Sequence, residues 1–121
     1  MGLKEESPNT RMFYGVVTIS GVIGFYQGKT LGIKAGDTIL IGRDRNLCAL
    51  LYPPESTGIS KVHCKLWFDA ARGRVGVRDC SKNGTFLGNG ERMCPEQEYF
   101  LSDGEQFYLT SPENTFVVHT L

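Results

Sequence analysis

From Met12 onward the chain reads as short stretches of apolar residues at every second position separated by turn signals, and no window carries the 3.6-residue period for long enough to bury a helix face. This pattern constrains the chain more than any other feature, because a period of two suits only extended backbone with one face buried. It predicts short strands at 13–20, 30–34, 38–42, 49–51, 62–69, 74–78, 85–87, 97–101, 106–110 and 115–120. Fifteen glycines and five prolines are spread along the chain as turn signals and form no linker. The stretch KLWFDAARGRVGVRD reads as a hairpin with Gly73 at positive φ, and DGEQFYLT with NTFVVHT as a second hairpin closed by Ser111-Pro112-Glu113. Strands at this spacing predict an all-β fold, a two-sheet antiparallel β-sandwich of ten to eleven short strands. A chain of 121 residues holds one domain; residues 1–11, polar with Ser7-Pro8-Asn9, read as a flexible tail and 12–121 as the domain.

Thirteen Lys plus Arg balance thirteen Asp plus Glu, so no general attraction to nucleic acid or an anionic membrane is expected, and any anion site must be local. No apolar run is long enough to span a membrane and no secretory leader pattern begins the chain, which predicts a cytoplasmic protein. Cys48, Cys64, Cys80 and Cys94 form no close pair beside a histidine, so they read as reduced, small apolar side chains in strands. Neither metal nor cofactor is expected. Gly28-Lys29-Thr30 lacks the earlier glycine of a phosphate-binding P-loop, since Ile23 stands there, and Glu6 occupies the hydroxyl position of a myristoylation signal.

The sandwich brings together three polar loops: the end of the third strand at Gly42-Arg43, the segment GISKVH at 58–63, and DCSKNGTFLGNG at 79–90. A guanidinium at Arg43, a hydroxyl at Ser60, ammonium groups at Lys61 and Lys82 and an amide at Asn83 suit a phosphate with peptide backbone beside it. The set lacks an acidic partner or a nucleophile with an adjacent base, which points to binding and not to turnover.

Gly42-Arg43, then Ser60-x-x-His63, then Ser81-Lys82-Asn83-Gly84-Thr85 with Asn89-Gly90, in this order, resemble the signature of the forkhead-associated (FHA) domain. LSDGEQFYL resembles the aspartate-glycine turn of the same family, and the likeness covers roughly residues 13–120. The resemblance implies an FHA/SMAD-like sandwich that binds a phosphothreonine-containing protein or peptide, downstream of a Ser/Thr protein kinase, without catalysis. Arg43, Ser60, Lys61 and Lys82 would contact the phosphate, and Asn83 the ligand backbone just beyond it. Gly42, His63 and Gly84 would support the site, His63 from a buried, hydrogen-bonded position. Thr57, Gly58 and Ser81 are candidates for reading ligand sequence. Lys82 stands where the family commonly has Thr or Ser, TFLG before Asn89-Gly90 is one residue longer than usual and predicts a bulged turn, and Pro53-Pro54 stiffen one wall. Two other classes are open: the same scaffold binding an unphosphorylated partner or itself, and a small hydrolase using Ser60 and His63.

Overall fold

The computed structural model describes residues 16–120; the tail expected at 1–11 and the first strand residues expected at 13–15 lie outside the described residues. The strands are β1 (Val16–Ile23), β2 (Thr30–Lys34), β3 (Thr38–Gly42), β4 (Leu50–Leu51) and β5 (Cys64–Asp69), followed by β6 (Arg74–Asp79), β7 (Thr85–Leu87), β8 (Glu98–Leu101), β9 (Gln106–Leu109) and β10 (Thr115–His119). They form two five-stranded sheets, ordered β2-β1-β10-β9-β7 and β4-β3-β5-β6-β8.

Alternation fixes which side chains meet between the sheets. Val17 and Ile19 of β1, Leu66 of β5, Val75 and Val77 of β6, Phe107 and Leu109 of β9, and Phe116 and Val118 of β10 are buried. Phe107 and Phe116 stack at 5.4 Å between centroids. The apolar run at 64–68 does not all face inward: Trp67, one residue on from buried Leu66, lies over Gly76 and meets Phe100 edge-on. Its ring covers the outer face of the second sheet, where a β-carbon at position 76 would overlap it.

Both expected hairpins form, β5 with β6 about a turn in which Gly73 has φ +64°, and β9 with β10 about a 3-10 turn at Pro112–Asn114. Among pairs of these strands one departs from the antiparallel pattern: β3 and β4 run parallel, Ile41 opposite Leu50. β1 runs on to Ile23, past the glycine that reads as a turn. Gly21 is there for a close approach, because a β-carbon would overlap the Tyr26 carbonyl, whose chain folds back against the strand. The four cysteines are free, but only Cys64 is buried in a strand; Cys48, Cys80 and Cys94 sit in connections.

Register places the site. Cys64 opposes both Ile41 and Asp79, so β3 ends, β5 begins and β6 ends at one end of the sandwich. The loops that follow or precede those residues, 43–49, 52–63 and 80–84, meet there.

Candidate functional site

The loops approach so closely that one of them must lack a side chain. Arg43 N–H donates to the Ser60 carbonyl at 3.2 Å and Asp44 N–H to the Lys61 carbonyl at 3.0 Å. A β-carbon at Gly42 would overlap that Lys61 carbonyl, which explains the glycine before Arg43.

Arg43 is half-buried, and its Nε donates to the Ile59 carbonyl at 2.6 Å. That bond orients the guanidinium while its two terminal nitrogens have no partner among the described residues. The Ser60 hydroxyl accepts from Lys82 N–H at 3.0 Å, which leaves its own proton to be donated outward. Lys61 and Lys82 are exposed, and neither makes an ion pair among the described residues. Asn83 reaches back from the third loop, its Nδ2 donating to the Gly58 carbonyl at 3.1 Å.

Beneath these exposed groups lies a buried frame. His63 is fully buried. Ser60 N–H donates to its Nδ1 at 3.1 Å, so that nitrogen carries no proton and Nε2–H donates to the Gly84 carbonyl at 2.9 Å. The imidazole is therefore neutral. Burial pushes its pKa below the usual histidine value, against the opposing pull of the Gly84 carbonyl and the Asp79 carboxylate. Because both ring nitrogens are held by backbone and the Ser60 hydroxyl faces Lys82, His63 has no contact with which to activate that hydroxyl as a hydrolase would.

Asp79, also fully buried, organises the third loop. Its Oδ1 accepts from Ser81 N–H at 3.1 Å, Ser81 Oγ at 2.6 Å and Thr85 Oγ1 at 2.8 Å. Ser81 Oγ in turn accepts from Gly84 N–H at 2.8 Å, so this hydroxyl is used within the loop. Gly84 has φ +102°, and a β-carbon there would press against Arg92 Nε at 2.8 Å. Arg92 donates to the Lys82 carbonyl at 3.2 Å and adds another guanidinium to the rim. Thr110 closes the base, donating from N–H to the Gly84 carbonyl at 2.9 Å and from Oγ1 to the Gly58 carbonyl at 2.6 Å. It does so at φ +66°, an unusual conformation for a β-branched residue. The longer Asn-Gly connection forms a compact turn: Gly90 N–H donates to the Leu87 carbonyl and Leu87 N–H to the Glu91 carbonyl, both at 2.8 Å.

The structure thus gathers Arg43, Ser60, Lys61, Lys82 and Asn83 at one end, over His63, Gly42 and Gly84, with Thr57 and Gly58 on the adjoining loop. Asp79, Arg92 and Thr110 are the members that sequence reasoning missed. Asp79 had a legible signal, a carboxylate two residues before a loop serine, where aspartate commonly accepts from backbone. Arg92 and Thr110 had none.

Residues 39–110, more than half of the chain, match the family described as FHA domain. The E3 ubiquitin-protein ligase CHFR of Mus musculus is 38% identical over 74 residues, which are 61% of this chain and 11% of that relative, so the chain spans about a tenth of the relative's length. The solved MEK1 FHA domain in complex with a phosphothreonine peptide of HOP1 is 27% identical, with a TM-score of 0.69 over 86% of this chain and 95% of that one. The FHA domain of an Arabidopsis thaliana hypothetical protein is 28% identical, with a TM-score of 0.73 over 88% of this chain and 86% of its own. With the ordered motifs, the two-sheet fold and the family match in agreement, the chain belongs to the FHA-domain family.

Proposed function

We propose that this domain is a non-catalytic module that binds phosphothreonine in a partner protein and so recruits the protein that carries it to targets of a Ser/Thr kinase. The observation that carries the reading is Arg43: its Nε is anchored to the Ile59 carbonyl, its terminal nitrogens have no partner among the described residues, and the same end of the molecule presents Ser60, Lys61 and Lys82. A phosphothreonine brings about −1.5 to −2 charges and three acceptor oxygens. Arg43 and Ser60 donate to those oxygens; the lysines add attraction from the rim, Lys82 through its ammonium alone because its N–H is already held by Ser60. Asn83 takes the ligand backbone just beyond the phosphothreonine. Thr57 remains the nearby side chain for reading ligand sequence, since Gly58 has none and Ser81 is engaged with Asp79 and Gly84. We assign Ser81 the role of holding the loop's shape. The solved MEK1 relative holds a phosphothreonine peptide, which supports the same ligand class here.

The test is a calorimetric titration with one peptide in phosphothreonine, phosphoserine and unphosphorylated forms. Binding confined to phosphothreonine is expected, weakened on the order of a hundredfold or more by Arg43→Ala, with Tm lowered only by about 4 °C for the lost bond to Ile59. Equal binding of the unphosphorylated peptide, or an Arg43→Ala domain that binds normally, overturns the reading.

A further inference from the structure

Beside Arg43, the β1–β2 connection and the segment leaving β4 pack together and, with the loop that leaves β3, border a cavity of about 350 Å3. One wall is Phe25, Leu51, Tyr52 and the Pro53-Pro54 pair; the other is Arg43 and Arg45. No residue of 57–61 or 81–85 lines it, so it shares only Arg43 with the proposed phosphate site, and its lining holds no carboxylate.

The apolar wall is built and then left uncovered. Tyr52 is buried, and the Tyr26 hydroxyl donates to the Leu51 carbonyl at 2.5 Å. Phe25 packs edge-on to Tyr26 at 5.1 Å and tilted against Tyr52 at 5.8 Å. Yet Phe25 is 60% exposed, and Ile23, two residues before it, is 48% exposed. A phenylalanine fixed by two tyrosines but open to water leaves a substantial apolar face without a partner.

The two walls together select the occupant. Aromatic and proline surfaces on one side favour any apolar group, whereas guanidinium groups on the other favour a π face over an aliphatic chain. Direction follows from the anchor points. Asn83 and Arg43 hold the successive carbonyls of Gly58 and Ile59, and the cavity lies on the Arg43 side. A peptide whose backbone beyond the phosphothreonine lies on Asn83 brings its preceding residues past Arg43 to Phe25. We propose that this cavity receives an aromatic side chain from a ligand residue N-terminal to the phosphothreonine, a second specificity pocket that rests on the phosphopeptide reading above. Pro53 and Pro54 stiffen its wall before binding, which reduces the ordering that the ligand must impose.

The experiment uses phosphothreonine peptides with alanine at every flanking position, then the same peptides with Phe, Tyr or Trp placed at one position at a time. The expected result is a single position before the phosphothreonine where an aromatic tightens binding about tenfold over alanine. Phe25→Ala, and separately Leu51→Ala at the same wall, bring that aromatic-to-alanine ratio close to one, with melting curves showing that both variants are folded. A flat profile overturns the inference, as does an aromatic preference found only after the phosphothreonine or one that survives both variants. The all-alanine phosphopeptide keeps the two readings distinguishable: if it binds and the profile is flat, the pocket alone fails; if no phosphopeptide binds, the phosphate site fails and the pocket with it.

Discussion

The two ends of the sandwich are closed by different kinds of bond. At the end away from the site the turns close on themselves: Asp37 N–H donates to the Lys34 carbonyl, Arg72 N–H to Asp69 Oδ1, and Ser102 N–H to Glu105 Oε1, each within three residues. Longer reach there comes from backbone pairing, such as the bridge between Ala35 and Phe68, and from contacts beside β10, such as Thr120 N–H on Asp103. At the site end the bonds join loops distant in sequence: Arg43 to Ile59, His63 to Gly84, Lys82 to Ser60, Asn83 to Gly58 and Thr110 to Gly58, the last across 52 positions. A turn satisfied by its own residues fixes only itself. Loops satisfied by one another hold a common shape, and a substitution in one should move the others.

The largest effect that this difference predicts is at His63, which touches no ligand in the proposed site. His63→Ala leaves Ser60 N–H without its partner, takes one of two donors from the Gly84 carbonyl, which keeps Thr110 N–H, and opens a hole at a fully buried position. A loss of about 3 kcal/mol is expected, read as a fall in Tm of roughly 12 °C. Phosphopeptide binding should weaken in the surviving folded fraction, because Ser60 then loses the bond that fixes its backbone N–H and keeps only those from Arg43 and Lys82. An unchanged melting curve breaks the idea that the site end is cross-supported.

Next in size is Thr85→Val, a near-isosteric change that removes a single donor from Asp79. About 1–2 kcal/mol is expected to be lost, with a Tm lower by roughly 4–8 °C. The sharper readout is binding. If Asp79 shapes the loop that carries Lys82 and Asn83, affinity falls although Thr85 lies beneath the surface; stability lost without affinity confines Asp79 to the scaffold.

The comparison also explains what could be read from the chain. Alternation located the ten strands because each buries one face, and the self-contained turns at 70–73 and 102–105 carry their own signals in Gly73 and Asp103-Gly104. The proposed anion-binding set could be picked out for a chemical reason: Arg43, Lys61 and Lys82 are charged groups in loops, and none has an ion-pair partner among the described residues. The frame below was harder. Thr110 supports Gly58 from 52 residues away, and Arg92 reaches Lys82 from the far side of a hairpin, so neither has a local pattern. Gly21 and Gly42 were ambiguous for a related reason, since a glycine required by the close approach of a connection's carbonyl looks the same in sequence as one required by a turn. The parallel β3–β4 pair was missed because β4 is two residues long, too short for its period to show a direction.

A smaller effect separates the two ends by pH. Burial holds the folded-state pKa of His63 below the unfolded value of about 6.5, so below that pH the unfolded chain binds a proton that the folded chain refuses. Stability is therefore full above about pH 6.5 and declines as pH falls toward the lowered folded-state pKa, by no more than about 1.4 kcal/mol per pH unit for one group. Melting the free domain between pH 7.5 and 5.5 isolates this histidine from carboxylates that titrate lower, and from the phosphate of a ligand, which itself gains a proton near pH 6. The decline should vanish in His63→Ala. A decline that persists there belongs to another group.

The smallest expected effect is at the opposite end, and it is the control on which the comparison turns. Asp69 accepts from Arg72 N–H at 2.9 Å and pairs with its guanidinium at 2.6 Å, and the Arg72 backbone bond comes first among the causes that hold this carboxyl below its ordinary pKa. By geometry it is as well bonded as His63. Its partner, however, lies three residues away, is 56% exposed, and retains the Phe100 ring 3.9 Å beneath its guanidinium when the carboxylate is gone. Asp69→Ala should therefore move Tm by no more than about 2 °C and leave phosphopeptide affinity where it was. A loss of affinity would mean that the β5–β6 hairpin transmits strain from its turn to Cys64 and Asp79 at its other end, in which case the sheet, and not the cross-loop bonds, holds the site in shape.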